Sequence, residues 1–426
     1  MIRIYQAKEF ECQLSEQKKS SLQSDQAYQV AKEVITAIQE EGDKALDRYV
    51  EKFDGIVPEH YTVTDQERKQ AWAQVNSKTI KALERAADHI KAFHTKQLKT
   101  SKFMQNDSNI ISGQLYTPIE KVGIYVPGGT ASYPSSVLMN AIPAVLAGVD
   151  EVVMVTPARN GEQIEPILSV AADICGVTRI YKIGGIQAIA ALAYGTETIR
   201  PVDKIVGPGN SYVAAAKALV YGDVGIDMIA GPSEVAIIAD ETANPAYVAA
   251  DLIAQAEHDV LARSFLFTTS NDLIKATEKE LKDQLATLPR VEIAATALKN
   301  QGGLIKVDHI EEAFRLSNLL APEHLEIQLN NPLSYLGYVK HAGSIFLGHY
   351  TPESLGDYYA GPNHVLPTSG TAKFSSGLSV DDFVKKSTFL YYSEQALKQA
   401  AFDVMTIAEE ERLSGHARAV SKRVSN

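Results

Sequence analysis

The chain has 426 residues, of which 45% are hydrophobic and 22% are charged, so it has the composition of a folded globular protein and the length of more than one domain. Acidic residues outnumber basic ones and leave a net charge of -11, which disfavours binding to a nucleic acid backbone. The two cysteines, Cys12 and Cys175, lie far apart and outside any CxxC motif, which excludes a disulfide framework and a thiolate zinc site.

The N-terminus carries charged residues where a signal peptide needs an apolar block. The longest apolar stretch, Val137 to Val149, is interrupted by Asn140 and Pro143. We therefore expect no membrane span and a cytoplasmic location.

The first hundred residues show apolar side chains at helical spacing. Val30, Val34 and Ile38 recur on one helical face, and Thr64 with Glu67 forms a capping box that predicts a helix running toward Ile90. We interpret this region as a helical scaffold.

From Lys121 onward, short apolar runs alternate with helical stretches. This alternation predicts parallel sheets with helices on both faces, and its length favours two doubly wound sheets. In such sheets, ligands bind outside the carboxyl ends of the strands, where glycine lets the backbone approach them. Glycine-rich turns adjoin four of the runs, namely P-G-G-T, G-G-I-Q, G-P-G-N and G-P-S-E.

These turns do not identify a cofactor by themselves. The dinucleotide motif G-x-G-x-x-G is absent, and the nearest segment, which begins at Gly207 and Gly209, lacks the third glycine. A single turn is equally explained by the need for a positive φ between strand and helix. The four together favour a ligand crevice.

Gln255 and His258 are three residues apart in A-Q-A-E-H-D, so on a helix they share a face and can converge on one ion. Asp357 and His416 are candidates to complete a site with nitrogen and oxygen ligands. The alternative is a surface pair on a helix with no function. Spacing alone does not decide between these interpretations, because only the fold can bring Asp357 or His416 to the pair.

Glu323 and His324 are adjacent in A-P-E-H-L-E. This pair offers a carboxylate to activate water and an imidazole to move protons near neutral pH. The alternative is a helix cap beside a surface histidine. The segment from His349 to Gly370 lacks any period and predicts an ordered functional loop, in which His364 is either a partner behind the site or a loop histidine satisfied locally.

Taken together, these segments resemble the histidinol dehydrogenase family over nearly the whole chain. The resemblance implies a homodimeric enzyme with one zinc ion per subunit that uses NAD to oxidise L-histidinol through L-histidinal to L-histidine, the last step of histidine biosynthesis. It rests on G-I-Y-V-P-G-G, I-G-G-I-Q-A-I-A-A-L-A-Y-G-T, V-D-K-I-V-G-P-G-N, A-G-P-S-E-V, A-Q-A-E-H-D, L-A-P-E-H-L-E, G-D-Y-Y-A-G-P-N-H-V-L-P-T and E-R-L-S-G-H-A-R-A-V.

The resemblance also implies roles for individual positions. The substrate contacts fall on the metal and acid/base positions and on two further residues, and the C-terminal tail reaches across the dimer, so its residues serve the partner's site. The implied zinc ligands are Gln255, His258, Asp357 and His416, the acid/base pair is Glu323 and His324, the further substrate contacts are Ser233 and Glu411, and the cofactor contacts are Tyr125, Gln187 and Asn210.

The predicted fold is α/β, with two doubly wound, incomplete Rossmann-like parallel-sheet domains, a helical N-terminal region and a small C-terminal helical tail domain. We divide the chain into an N-terminal arm (1–22), a discontinuous α/β domain with the metal and catalytic residues (23–125 and 236–378), a Rossmann-like cofactor domain (126–235) and a tail that reaches the partner subunit (379–426).

Other functions use the same residues. The nearest is a dehydrogenase of this family that acts on another small alcohol, such as sulfopropanediol. A zinc hydrolase with Glu323 as the water-activating base and a catalytically inactive metal-binding scaffold are more distant alternatives. A thiohemiacetal mechanism would need Cys175, whose segment D-I-C-G-V predicts the inward-facing end of a helix.

Overall fold

The computed structural model describes residues 2–20, 25–107, 109–128, 132–158 and 163–425. Within these residues the strands are β1 (Arg3–Gln6), β2 (Lys102–Asp107), β3 (Ile110–Pro118), β4 (Lys121–Tyr125), β5 (Glu151–Thr156), β6 (Arg179–Lys182), β7 (Lys204–Val206), β8 (Gly225–Ile226), β9 (Glu234–Ala239), β10 (Arg263–Thr268), β11 (Gly303–Lys306), β12 (His324–Gln328), β13 (Ser344–Leu347) and β14 (Val384–Tyr392).

The helices of the same residues connect and cover these strands. They are α1 (Ala7–Ser20), α2 (Asp25–Glu41), α3 (Asp43–Asp54), α4 (Asp65–Gln74), α5 (Ser77–Thr95), α6 (Pro134–Ala147), α7 (Pro166–Cys175), α8 (Gly185–Tyr194), α9 (Ser211–Val220), α10 (Pro245–Ala256), α11 (Asn271–Leu285), α12 (Val291–Gln301), α13 (Ile310–Leu320), α14 (Glu353–Tyr358), α15 (Glu394–Glu410) and α16 (Ser414–Val424). None of the helices in the described ranges is long and apolar enough to cross a membrane.

One parallel sheet has the strand order β6-β5-β4-β7-β8. Alternate side chains of its strands enter two separate cores, because helices cover both faces. Val153 and Ile205 face a core with α2, α3, α8 and α9, whereas Val152 and Ile124 face a core with α5, α6 and α7. The winding direction changes between β4 and β7, which creates a crevice at that point.

The second parallel sheet has the order β1-β11-β10-β9-β12-β13. Its winding matches that of the first sheet, with the N-terminal strand β1 added at the edge beside β11. Val235 and Ile237 face α10 to α12, and the alternate residues Ala236 and Ile238 face α1 and α13. The predicted pair of doubly wound parallel sheets is confirmed.

A third, antiparallel sheet has the order β14-β3-β2 and was not anticipated from the sequence. β14 pairs with β3 from Val384 opposite Pro118 to Tyr392 opposite Ile110. Local periodicity gave no signal for this sheet, since its pairing partners lie far apart in the chain. The sheet carries the C-terminal helices α15 and α16, which pack mainly against each other.

The predicted capping box at Thr64 is confirmed, since Thr64 Oγ1 accepts a hydrogen bond from the Glu67 N–H and the Glu67 side chain accepts one from the Thr64 N–H. The predicted continuation of that helix to Ile90 is wrong. α4 ends at Gln74, and the Asn76 side chain accepts a hydrogen bond from the Lys78 N–H and caps a new helix, α5. Asparagine is favoured at this capping position because its side chain replaces the missing backbone acceptor.

The grouping of elements around the sheets bears on the predicted domains. β4 is the central strand of the five-stranded sheet, and α2 to α5 pack against the helices of that sheet. A division that follows the sheets therefore places residues 25–125 with residues 126–226 and places β1 and α1 with the six-stranded sheet. The boundaries derived from the sequence stay a prediction.

Candidate functional site

Two adjoining cavities lie between the parallel sheets' loops. The first, cavity I, has a volume of about 790 Å³ and is lined by residues that follow β4 to β7. The second, cavity II, has a volume of about 530 Å³ and is lined by residues that precede β9 and β12. Pro127 and Asn210 line both cavities, so a ligand in one lies next to a ligand in the other.

Cavity I brings together Tyr125, Gln187 and Asn210, the three residues predicted to contact the cofactor. Tyr125 ends β4, and its hydroxyl accepts a hydrogen bond of 3.2 Å from the Gly185 N–H. Asn210 caps α9 by accepting hydrogen bonds from the first turn of that helix. The cavity thus lies at the crevice between β4 and β7, where doubly wound sheets bind nucleotides.

Gln187 is fully buried in the first turn of α8. Its amide nitrogen donates a hydrogen bond of 3.1 Å to Asp54, whereas its amide oxygen is buried and has no hydrogen-bond partner among the described residues. An acceptor in this state is costly unless a ligand supplies a donor. Of the predicted P-G-G-T turn, Pro127 and Gly128 line the cavity, while its last two residues lie outside the described part of the chain.

The loop that leads to Asn210 is held by a buried ion pair. Asp227 accepts a hydrogen bond of 2.8 Å from the Gly207 N–H and pairs with Lys217, whose ammonium group donates one of 3.0 Å to the Gly207 carbonyl. Gly207 has a φ of 109°, and a Cβ atom there would lie 2.2 Å from the Tyr125 carbonyl oxygen. Glycine is therefore required at this close approach, and the loop is fixed where the two cavities meet.

Cavity II lies at the amino ends of β9 and β12. His324 is the first residue of β12, Glu323 precedes it, and Ser233 directly precedes β9. Cavity I therefore lies at the carboxyl ends of strands of the five-stranded sheet, where the sequence led us to expect ligands, whereas cavity II lies at the amino ends of strands of the six-stranded sheet. α10 follows β9 and runs back along the sheet, so its last turn carries Gln255 to the amino end.

The backbone of one residue, Glu234, orients both members of the predicted acid/base pair. The Glu234 N–H donates a hydrogen bond of 3.0 Å to the Glu323 carboxylate, and the Glu234 carbonyl oxygen lies 3.2 Å from His324 Nδ1. The Ser233 hydroxyl also donates to Glu323. A carbonyl can only accept, so His324 Nδ1 carries the proton and Nε2 keeps a free electron pair.

The His324 ring is buried, and burial lowers its pKa to about 4, so the imidazole is neutral near pH 7. Its Nε2 atom is buried without a hydrogen-bond partner among the described residues. Burial, with the nearby carboxylates of Glu234 and Asp357, raises the pKa of Glu323 well above its ordinary range. Environments that push two neighbouring pKa values apart are typical of acid/base catalysis.

A cluster of potential metal ligands lies beside this pair. His258, Glu353 and Asp357 each offer one ligand atom, and these atoms lie within 4.8 Å of one another. His258 is exposed at the mouth of the cavity, whereas Glu353 is buried. Imidazole and carboxylate ligands suit zinc and several other divalent transition metals.

Glu353 was not identified from the sequence. It lies four residues before Asp357, so both side chains share one face of the short helix α14. Burial and the neighbouring carboxylates of Asp357 and Glu326 raise the pKa of Glu353 well above its ordinary range. The spacing in E-S-L-G-D was a signal available in the sequence.

Gln255 lies beside the cluster in the wall of cavity II and is fully buried. In the amide orientation that satisfies its hydrogen bonds, the Gln255 nitrogen donates to the Glu353 carboxylate at 2.9 Å. The Gln255 oxygen accepts a hydrogen bond from the Glu234 N–H at 2.6 Å. Gln255 therefore contacts the cluster through Glu353. The sequence left two interpretations of His364 open. In the structure it lies next to Asp357, with its Nδ1 atom 3.0 Å from the Asp357 carbonyl oxygen.

The structure does not bring Glu411 or His416 to the cluster. Both residues are exposed, at the end of α15 and in α16, and neither lines cavity II. Within a single chain, the predicted zinc ligands are therefore represented at the site by Gln255, His258 and Asp357 only.

Comparisons with known proteins agree on one family. The family model described as histidinol dehydrogenase matches residues 17–424. The histidinol dehydrogenase of Bacillus cereus is 56% identical over 391 residues, which cover 92% of this chain and 91% of the relative. That of Clostridium acetobutylicum is 55% identical over 390 residues, with 92% and 90% covered. The crystal structure of histidinol dehydrogenase from Elizabethkingia anophelis is 42% identical, has a TM-score of 0.90 and covers 93% of this chain and 92% of that one.

The metal cluster predicts that zinc stabilises the folded chain. Zinc at 100 times its dissociation constant should raise the free energy of unfolding by about 2.7 kcal/mol, because the unfolded chain has no preformed site. Differential scanning calorimetry with and without zinc measures this as a higher melting temperature. Asp357→Asn should reduce the increase, whereas Asp173→Asn, far from the cluster, should keep it. A full increase in the Asp357 variant would show that zinc binds elsewhere.

Proposed function

Because the chain belongs to the histidinol dehydrogenase family, a family of oxidoreductases in histidine biosynthesis, we propose that it oxidises L-histidinol through L-histidinal to L-histidine in two successive NAD-dependent steps at a zinc centre. The proposal rests chiefly on His324. Its neutral imidazole presents in cavity II an Nε2 atom that has no hydrogen-bond partner among the described residues, next to Glu323 and the metal cluster and beside cavity I.

Zinc fits the residues present, since the cluster supplies nitrogen and oxygen ligands at a cavity mouth. The residues that would hold it are Gln255, His258 and Asp357, together with His416 of the partner subunit. The ion supplies a positive centre that holds the amine and imidazole nitrogens of histidinol and so orients its terminal carbon. Glu353 keeps the Gln255 amide in place through their hydrogen bond.

We assign NAD to cavity I, whose volume lies in the usual range of ligand pockets and whose wall carries the Gln187 oxygen, which has no hydrogen-bond partner among the described residues. Its nicotinamide supplies the hydride acceptor for both oxidations. Asn210 and Pro127 border both cavities and so place the two ligands side by side.

In the first oxidation, His324 Nε2 accepts the hydroxyl proton of the substrate, because it has a free electron pair, lies in the wall of cavity II and has no hydrogen-bond partner among the described residues. In the second, Glu323 removes a proton from the water that adds to the aldehyde. Its raised pKa makes the ionised carboxylate a stronger base than an exposed glutamate. Ser233 and the Glu234 N–H hold that carboxylate in a fixed orientation.

The mechanism uses no thiol. Cys175 is buried at the end of α7, where burial raises its pKa to about 12, and it lines neither cavity. Cys12 is exposed on α1. A thiohemiacetal intermediate therefore has no suitable nucleophile among the cysteines of the chain.

We further propose that the site is completed in a homodimer. Large apolar side chains of the C-terminal region and of β2 lie in solvent in the single chain, where Phe402 is 76%, Phe103 73% and Leu390 68% exposed. Exposed large apolar side chains are typical of a protein interface. A tail that crosses to a second subunit would bury it and bring Glu411 and His416 to the partner's cavity.

The yield of NADH per histidinol tests the reaction. We expect two NADH for each histidinol consumed, loss of activity with a chelator and recovery with zinc, measured by absorbance at the nicotinamide band. Dihydroxypropanesulfonate should give negligible turnover. A yield of one, or faster turnover with the sulfonate, would contradict the proposed reaction.

Substitutions at Glu323 and His324 should separate the two steps. Glu323→Gln should slow the oxidation of histidinal far more than that of histidinol, since only the second step needs an activated water. His324→Ala should slow both by about 100-fold to 10,000-fold, the usual loss on removing a general base. Single-turnover kinetics with each substrate measure both rates, and Glu241→Gln serves as an exposed control. Equal losses for Glu323→Gln in both steps would reject its assigned role.

Mixed dimers should reveal shared sites. Equal amounts of His324→Ala and His416→Ala subunits, each inactive alone, should recover about one quarter of the parent activity, because half of the dimers are mixed and each has one intact site. Activity after co-refolding measures this recovery. If no activity returns although mixed dimers form, the tail does not serve the partner's site.

A further inference from the structure

A buried polar network lies behind the metal cluster and takes no part in the chemistry proposed above. Glu326 and Gln328 are 1% and 2% exposed in the central strand β12, whose other face carries the apolar residues Leu325 and Ile327. Polar side chains in a strand covered on both faces are costly unless their hydrogen bonds are satisfied within the protein. Asp251 of α10 supplies a partner for them.

The network joins three elements. The Gln328 amide nitrogen donates to Asp251 at 2.8 Å and to Glu326 at 2.9 Å, so a single amide bridges two acids. The other oxygen of Glu326 accepts the Glu353 backbone N–H at 2.9 Å. These hydrogen bonds join α10, β12 and α14 to one another.

Each of these elements carries residues of the proposed site. Gln255 lies one turn after Asp251 in α10, His324 lies two residues before Glu326 in β12, and α14 carries Glu353 and Asp357. The distances among the metal ligands and the catalytic pair therefore depend on how the three elements are held.

α14 needs this support more than the others. It has six residues, its N-cap is Pro352, and no side chain at the cap position accepts a hydrogen bond from its first turn. A helix of this length does not hold itself together in water. The Glu326 carboxylate supplies the missing acceptor, and Gly356 lets the helix lie against Phe346, since a Cβ atom there would come within 2.6 Å of that ring.

Burial and the neighbouring Asp251 carboxylate raise the pKa of Glu326 well above its ordinary range. Burial also raises the pKa of Asp251. A raised pKa favours the uncharged form of a carboxyl group, which lowers the cost of placing the two acids side by side.

We propose that Asp251, Glu326 and Gln328 form a positioning network that sets the zinc affinity of the site by fixing α14 against α10 and β12. The inference rests on the zinc centre proposed above. Residues behind metal ligands typically change metal affinity by about 10-fold to 100-fold when they are replaced.

The experiment compares Glu326→Leu with Glu326→Gln in the full-length protein. Zinc dissociation constants are measured by competition with a chelator, at a temperature where calorimetry shows each variant to be folded. Glu326→Leu removes the acceptor for the Glu353 N–H and should weaken zinc binding by about 10-fold to 100-fold. Glu326→Gln keeps an oxygen that can accept the Glu353 N–H. Its zinc dissociation constant should therefore be closer to that of the parent than the constant of Glu326→Leu. Gln328→Met, which removes the bridge, provides a second test if Glu326→Leu does not fold.

Ser264→Ala is the matched control. Ser264 is buried in β10 and donates a hydrogen bond of 3.0 Å to the Leu252 carbonyl of α10, the helix that also carries Asp251. Its loss should lower the melting temperature and leave the zinc dissociation constant unchanged.

The outcomes separate the two proposals. If the parent binds zinc and the Glu326→Leu and Gln328→Met variants bind it equally well, with only lower melting temperatures, the network is merely structural and the inference is overturned. If the parent binds no zinc, the zinc centre itself fails and the inference fails with it. Weaker binding in both variants, with the Ser264 control unchanged, supports the positioning role.

Discussion

The pairing of β9 with β12 is the interaction on which the candidate site depends. These parallel strands are neighbours at the point where the six-stranded sheet changes its winding direction, with His324 in register with Val235. This register places the backbone of Glu234 between Glu323 and His324. Its N–H hydrogen-bonds the Glu323 carboxylate, and its carbonyl oxygen hydrogen-bonds His324 Nδ1. A shift of one residue would turn the His324 side chain to the other face of the sheet.

The concentration of buried acids at this site is the second constraint. Glu234, Glu323, Glu326 and Glu353 are each at most 7% exposed. Arg263 lies 2.7 Å from Glu234 and compensates part of its charge, but burial raises the pKa of all four groups, and neighbouring carboxylates raise it further for Glu323, Glu326 and Glu353. Such a group stays ionised only if a cation offsets the cost of removing its charge from water. The composition of the cavity wall therefore favours a metal ion next to Glu353 and Asp357.

The two sheets contribute different ends to the active region. The five-stranded sheet offers the carboxyl ends of its strands to cavity I, and the six-stranded sheet offers the amino ends of β9 and β12 to cavity II. The two sheets therefore have the same winding pattern, but their cavities lie at opposite ends of their strands. The loop fixed by Asp227 and Lys217 lies between them and gives the two cavities a common wall at Asn210.

Hydrophobic periodicity by itself determined the two parallel sheets, because strands buried on both faces require continuous apolar runs. Motifs identified Gln255, His258, Glu323, His324 and Asp357, which the fold gathers around one cavity. Local pattern could not give the antiparallel sheet, whose strands β3 and β14 pair across most of the chain, nor the ends of the strands at which the site lies. It also missed Glu353, because the spacing to Asp357, although visible in the sequence, does not show that α14 is held against β12. Packing decides where side chains that are distant in sequence meet, and packing depends on the whole chain at once. Periodicity and capping depend only on residues that are neighbours in sequence.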